Sequence, residues 1–367
     1  MLEKGEFDPV EQLIKNAVQI SLQRDMGTDY FADPKERLNK YFNAGGQVST
    51  GWPQLDRVMY GGMSRGELNI FAGGSGSGKS LVMMNIALNW LSQGLSGVYI
   101  TLELSEELTS LRTDAMLTNM STRDIRKNLD DTELRVKMAG KKFGKYRVKA
   151  LPAQSNVNAI RSYIKEVQIQ TGIKVDFVMI DYLDLVMPVS VKVNPNDQFI
   201  KDKYVSEELR NLAKELGVLL ITASQLNRSA VEEIEFDHSH IAGGISKINT
   251  ADYVFGIFTS RSMKERGKYQ IQCMKSRSST GVGQKIDLEY NIETMRISDN
   301  GGDSDDSYKP QPSANQIMSY LKPQSTLQST EPIIDQATGE ILEPENKKIV
   351  VDVQGSKLKN LLNSLKK

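Results

Sequence analysis

The stretch GGSGSGKS, Gly73 to Ser80, constrains this chain more than any other. It fits the spacing G-x-x-x-x-G-K-[ST], and it lies between an apolar run, LNIFA, and a helical pattern, SLVMMNIALNWL. Such a loop works only where a strand ends and a helix begins. Its glycines let successive backbone N–H groups curl around an anion, and the helix N-terminus adds its partial positive charge. Gly73, Gly74, Ser75, Gly76, Ser77 and Gly78 would form the cradle; Lys79 would reach the outer phosphates and Ser80 would hold Mg2+. The ligand expected is ATP with Mg2+. A flexible glycine linker could carry the same letters, but not the flanking strand and helix.

The surroundings agree with a nucleotide-binding α/β domain. From Ser49 to Asp299, short apolar runs alternate with amphipathic stretches: LNIFAG, GVYITLEL, VDFVMIDYLDLV, GVLLITAS, DYVFGIFT and YQIQCMKS read as strands. Helical periodicity lies between them, as in Val157, Ile160, Ile164 and Val167, or Val205, Leu209, Leu212 and Leu216. Strands apolar almost throughout and separated by helices predict a mostly parallel sheet covered on both faces. QKIDLEYNIETMRI alternates instead, as a half-exposed hairpin does.

Outside this core the character changes. Residues 1–47 hold a short amphipathic helix, Phe7 to Arg24, and a polar linker interrupted by Pro34 and the pair Gly45 and Gly46. The core is expected to span 48–298. An acidic, aperiodic segment at 299–346 reads as disordered, and 347–367 end in Leu358, Leu361, Leu362 and Leu365 at helical spacing among lysines. That last helix is expected to fray on the surface or to fold onto a partner protein. Lysine plus arginine equals aspartate plus glutamate at 46 each, so any basic surface must be local. The single cysteine, Cys273, excludes an internal disulfide and a multi-cysteine zinc site, and suits a reducing compartment. No apolar run approaches the length of a membrane span, and MLEKGEFDPVEQ lacks a signal-peptide core, so a cytoplasmic protein is expected.

Three strand ends carry further chemistry. Asp181 closes the strand in FVMIDY and is placed to steady Mg2+ through water. Glu103 closes VYITLE and could orient an attacking water; Glu106 and Glu107 compete for that role, although they look more like first-turn acids of a helix. Gln225 closes a third strand in TASQLNR, where an amide can sense the γ-phosphate. Far along the chain, in MKSRSSTG, Lys275 and Arg277 alternate, so an extended backbone points both to one side. Lys79 already supplies a cation to its own loop. A second pair is better placed to reach a neighbouring subunit's nucleotide, which implies a ring or filament with sites between subunits.

Together these motifs resemble the RecA-like ATPase core of DnaB-type hexameric replicative helicases. STGWPQLDRVMYGGMSRGELNIFAGGSGSGKS looks like the opening shared by RecA-like ATPases, and TLELSEE, MIDYLDLV, TASQLNR and KSRSSTG resemble four further helicase motifs in order. The likeness covers roughly Val48 to Ser298. Within the family the chain looks most similar to helicases of T-even-like phages, also through GTDYFADPKERLNKYFN. The resemblance implies that Glu103 is the catalytic base, Asp181 the Mg2+ acid, Gln225 the γ-phosphate sensor, and Lys275 and Arg277 the fingers acting in trans. It implies a homo-oligomer, as a ring or open spiral, moving 5′ to 3′ on single-stranded DNA at a replication fork, with primase, a loader or a polymerase as further partners. Too few residues precede the core for the family's N-terminal collar, which docks primase.

A helicase tracks the phosphate backbone, so lysines and exposed N–H groups suffice to hold DNA. Two insertions offer them: PVSVKVNPNDQFIKDKY with Lys192, Lys201 and Lys203, and the glycine-rich turn with Gly243, Gly244 and Lys247. His238 and His240 lack the cysteine or third histidine of a metal site. A RecA-like strand-exchange filament is the alternative function. SQLNR with KSR weighs towards the helicase, as does the absence of a four-cysteine element or helix-hairpin-helix pattern. A regulatory ATPase resembling KaiC is disfavoured by the single ATPase copy.

Overall fold

A nine-stranded sheet carries the fold, and its strand order explains where the loop of Gly73 to Ser80 ends up. The computed structural model describes residues 29–43, 46–191, 193, 197–225 and 245–299. Six strands run parallel: β3 (Leu68–Gly73), β4 (Gly97–Thr101), β5 (Tyr146–Ala150), β6 (Phe177–Asp181), β7 (Leu219–Gln225) and β8 (Tyr253–Ile257). Three more, β9 (Lys268–Ser276), β10 (Lys285–Tyr290) and β11 (Ile297–Ser298), extend the sheet as an antiparallel meander. The order is β11-β10-β9-β8-β3-β7-β6-β4-β5, with a separate small pair, β1 (Gln47–Val48) and β2 (Met63–Ser64).

Each central strand buries both of its faces. Phe71, Tyr99, Phe177, Met179 and Ile221 join the core on one side; Ile70, Val98, Ile100, Val178, Ile180 and Leu220 join the core on the other. Successive side chains of a strand point to opposite faces, so a continuous apolar run is what a sheet covered on both faces requires. The first face is covered by α2 (Pro53–Val58) and α3 (Lys79–Ser92), and the second by α7 (Val157–Thr171) and α8 (Gln198–Leu216). Ile160 and Ile164 of α7, and Leu209 and Leu212 of α8, are the buried positions that the spacing marks. Between β4 and β5 lie α4 (Glu106–Thr118), α5 (Thr122–Lys127) and α6 (Leu129–Gly140).

The helix behind the loop, α3, is buried all round: every residue from Val82 to Leu91 is inside. A helix apolar on all sides belongs in a core. Its two polar intruders are satisfied. The Asn85 side chain donates to the Met295 carbonyl and accepts from the Ile297 N–H, and Asn89 donates to the Thr50 carbonyl. Buried polar groups persist on those terms.

The α/β class, the parallel core and the alternating hairpin agree with the sequence; three details differ. VDFVMIDYLDLV is not one strand, because β6 stops at Asp181 and Leu183–Leu185 form a 3-10 turn. Strand β5, YRVKA, goes unmarked in the sequence because it is the outer strand and its residues are at most half-buried. The polar linker contains a helix, α1 (Pro34–Asn43), which Asp33 caps by accepting the Glu36 N–H at 2.8 Å. Pro34 begins that helix rather than interrupting one, since proline suits the first helical position. The helix expected at Phe7 to Arg24 and everything beyond Asp299 lie outside the described residues.

Candidate functional site

Parallel pairing places four strand ends side by side. Gly73 pairs with Gln225 and Thr101 with Asp181, so β3, β7, β6 and β4 finish at the same edge. In open α/β sheets ligands bind outside the carboxyl ends of the strands. Here that edge opens into a cavity of about 310 Å3 lined by Ser75, Gly76, Gly78, Lys79, Ser80, Leu81, Glu103, Leu104, Arg112, Tyr182, Gln225 and Met295.

The loop is shaped by its glycines and held from outside. Gly78 turns into α3 with φ of +106°, a conformation that side-chain-bearing residues rarely adopt. At Gly73 a Cβ would lie 2.3 Å from Ser77 Oγ, so only glycine lets the loop close on itself. On the far side, the Tyr269 hydroxyl of β9 donates towards the carbonyls of Ser77 and Gly78. Lys264 of α10 (Arg261–Glu265, numbered after α9, Ile245–Thr250) donates to the Gly76 carbonyl at 2.5 Å. Lys79 Nζ rests on the carbonyls of Gly73 and Gly74, 3.1 Å from each. Burial pulls its pKa below the ordinary lysine value, against the opposing pull of Asp184, Glu103 and Asp181.

The acids separate by position. Asp181 is 1% exposed, and its Oδ2 accepts from the Tyr99 hydroxyl at 2.7 Å. Burial raises its pKa, while Tyr99, Ser80, Lys79 and Arg112 act the other way. Its Oδ1 makes no hydrogen bond among the described residues. Glu103 projects into the cavity. Glu106 is occupied elsewhere, accepting the Ala150 N–H at 2.9 Å and pairing with Lys149 at 3.2 Å, contacts that lower its pKa. Its own backbone N–H and then Ser105 lower the pKa of Glu107. Of the three competing glutamates, only Glu103 lines the cavity.

Lys275 and Arg277 are elsewhere. Both donate to one carbonyl, that of Asn249, at 2.9 and 3.2 Å, so they share a side as their alternation predicts. Arg277 Nε lies 3.3 Å from Asp252 Oδ1, whose carboxylate also takes a two-pronged contact from Arg210. Arg277 remains 46% exposed, and neither cation lines the cavity of its own chain.

Comparisons with known proteins give a family and the same fold. The family model described as DnaB-like helicase C terminal domain matches residues 47–299. The chain belongs to the DnaB-like helicase family. The DnaB-like replicative helicase of Enterobacteria phage T4 is 27% identical over 278 residues, 73% of this chain and 58% of that protein. The replicative DNA helicase DnaB of Helicobacter pylori J99 is 27% identical over 266 residues, 69% of this chain and 52% of that protein. The chain thus spans little more than half the length of these relatives. In fold it is similar to a DnaB-like replicative helicase solved in a study of its interactions with primase, with a TM-score of 0.60 and 19% identity, covering 82% of this chain and 74% of that one. A second solved structure, of an ATPase domain by itself, gives a TM-score of 0.61 and 20% identity over 74% of this chain and 99% of that one.

Within this DnaB-like domain the expected DNA contacts divide. Lys203 is exposed, with its ammonium 5.8 Å from the Tyr204 ring centre. Lys192, Gly243, Gly244, His238 and His240 lie outside the described residues. Two expectations need correcting. Lys201 is buried and donates to the Asp184 carbonyl at 2.5 Å, and Lys247 is 1% exposed between Asp184 and Asp202. Both belong to helices, α8 and α9, that turn them inward, so neither presents its charge to a phosphate backbone. One cavity residue, Arg112, escapes sequence reasoning altogether. It sits inside α4, where no local spacing distinguishes it from a solvent-facing arginine, yet it lines the cavity beside Glu103.

Proposed function

We propose that this domain is the motor of an ATP-dependent replicative DNA helicase. Copies of the chain would assemble as a ring or open spiral, hydrolyse ATP between subunits and move 5′ to 3′ on single-stranded DNA at a fork in the cytoplasm. One observation carries this reading: the cavity gathers the loop, Glu103 and Gln225, while Lys275 and Arg277 stand apart, partly exposed, where another copy could use them. A site that lacks its fingers and fingers that lack a site are what a head-to-tail assembly supplies. The helicase relatives and the primase study of the structural neighbour support the choice of DNA, and of primase as a candidate partner.

In this mechanism Lys79 and the loop N–H groups hold the β- and γ-phosphates, and Glu103 orients the attacking water and receives its proton. Gln225 contacts the γ-phosphate and registers its loss. Arg112 adds a cation from the same chain, and Lys275 and Arg277 of the next subunit meet the charge that develops on the transferred phosphoryl group. The residues fit Mg2+. Ser80 and Asp181 would hold it, the buried Asp181 Oδ1 having no donor of its own among the described residues. Bound there with ATP, Mg2+ would neutralise phosphate charge. Among the described residues no group of three or more His, Cys, Asp or Glu side chains is placed to hold a metal ion.

The test is strand displacement with ATP and Mg2+ on forks carrying a 5′ tail, a 3′ tail or both. Unwinding is expected only where the 5′ tail is present. DNA-stimulated hydrolysis without displacement on any fork would overturn the helicase reading in favour of a strand-exchange filament.

Lys275 adds a pH signature. Burial, and then Arg277 beside it, bring its pKa down to about 8. Its charge is therefore lost as pH rises through about 8, and kcat/KM, which reports the free enzyme, is expected to fall above that pH. Stability moves the other way. Between about 8 and the ordinary lysine value of 10.5 the unfolded chain binds more protons at this position, so the same rise in pH favours folding. The titration of Lys275 itself therefore does not favour unfolding, and the alkaline loss should vanish in Lys275→Arg, whose guanidinium stays charged. An identical alkaline limb in both proteins would remove Lys275 from the reaction.

A further inference from the structure

One short helix touches both the sensor strand and the two exported cations. Helix α9 carries Lys247, whose ammonium pairs with Asp184 and, at 2.7 Å, with Asp202, and donates to the Ser224 hydroxyl at 3.1 Å. Asp184 uses its other oxygen to accept the Gln225 N–H at 3.2 Å. Lys247 therefore grips the end of β7, where the sensor stands, through both Ser224 and Asp184. Two residues further along the same helix, the Asn249 carbonyl accepts from Lys275 and Arg277. Asp252, just beyond the helix, pairs with Arg277 as well.

The chemistry at Lys247 is more than packing needs. Taking a lysine and two aspartates out of water is costly, and apolar residues of similar volume commonly stabilise a core as well or better. What an ion cluster offers instead is a fixed spatial relation between the elements that contribute to it. Those elements are the turn after β6, helix α8, the end of β7 and helix α9. Along a helix the step from Lys247 to Asn249 is about 3 Å, less than one turn, so the two contacts move as one body.

We propose that α9 is a lever between the chain's own γ-phosphate sensor and the cations it lends to the next subunit, with Lys247 as the positioning residue at the sensor end. A shift of Gln225 on gain or loss of the γ-phosphate passes through Asp184 and Lys247 to α9. The Asn249 carbonyl then carries it to Lys275 and Arg277. The state of one nucleotide site thereby sets how well the neighbouring site is served. This inference rests on the proposed trans role of Lys275 and Arg277.

The test is steady-state ATP hydrolysis by the full chain, with binding of a fluorescent ADP analogue and thermal unfolding measured beside it. Lys247→Met with Asp202→Asn removes one charge of each sign, so the cluster is not left with an extra anion. Its kcat is expected to fall about tenfold, with KM and analogue affinity within about twofold of wild type. Ser224→Ala, which takes away one neutral contact of Lys247 and leaves the charges in place, is expected to lower kcat about threefold in the same way. A loss of analogue affinity matching the loss of kcat would mark Lys247 as merely structural and overturn the lever. Wild-type kcat in Ser224→Ala and in the double variant, or in Ser224→Ala alone should the double variant not fold, would also overturn it. Arg277→Ala separates the two levels: if it loses turnover while the α9 variants keep it, only the lever fails. If Arg277→Ala turns over normally, the trans role fails and the lever with it.

Discussion

Lys79→Ala should lose ATP hydrolysis almost completely, with kcat/KM down about a thousandfold or more. The reason is the charge balance of the cavity. Glu103, Asp181 and Asp184 all act on Lys79, and Arg112 is the other cation lining the wall. Without the ammonium, Glu103 faces an incoming polyphosphate across the cavity with Asp181 and Asp184 buried behind it, and one guanidinium cannot offset that charge. Lys79 is also held by its own loop, because the carbonyls of Gly73 and Gly74 accept from its Nζ at 3.1 Å. A preorganised cation costs little reorganisation when charge develops, which is where electrostatic catalysis gains most. Phosphate release measured with the purified variant decides the matter: wild-type turnover would take the loop out of the mechanism.

Arg277→Ala should be nearly as severe in turnover but silent in binding. A finger supplied in trans is worth roughly three to five orders of magnitude in kcat. Arg277 lines no part of its own chain's cavity, so affinity for ADP should stay within about twofold of wild type. On the proposed trans role, the two variants damage opposite halves of one interface. Mixed in equal amounts, about a quarter of the interfaces should pair an intact loop from one protein with an intact finger from the other. Activity should then rise above that of either parent and peak near equal ratio. Hydrolysis that equals the sum of the parents at every ratio would place Arg277 outside the neighbouring site.

What the sequence discloses about this fold and site depends on how far apart the deciding residues lie. The loop is legible because strand, glycines, lysine and helix are contiguous, and each constrains the next. Glu103, Asp181 and Gln225 are legible for a related reason: each closes an apolar run, and the ends of parallel strands share one edge. Strand β5 is not, since YRVKA carries two cations and covers no core on its outer side. Lys201 and Lys247 mislead because a lysine's burial is decided by its partners. Asp184 lies 63 residues before Lys247, and only the folded chain brings the two together. Arg112 is silent for the same cause, as its place in the wall depends on which face of α4 meets the cavity. Local chemistry is written locally; the pairing of buried charges is written only in three dimensions.

The domain also begins and finishes at one place. The Trp52 indole donates to the Ile297 carbonyl, and Gln54 is bound to Asp299 through its backbone N–H at 2.7 Å and its side-chain amide at 2.8 Å. Trp90 and Asn89, at the far end of α3 from the loop, hold the carbonyls of Ser49 and Thr50. Eleven helical steps lead from Lys79 to Trp90, a span of about 16 Å. A pull on the chain from before Gln47 meets the β1–β2 pair and then the far end of α3 through Ser49 and Thr50, and one from beyond Asp299 meets Gln54, a few residues along from that same stretch. Between that stretch and the loop stands a helix packed on every side. On the proposed function, mechanical load and chemical step would meet the same strut from its two ends.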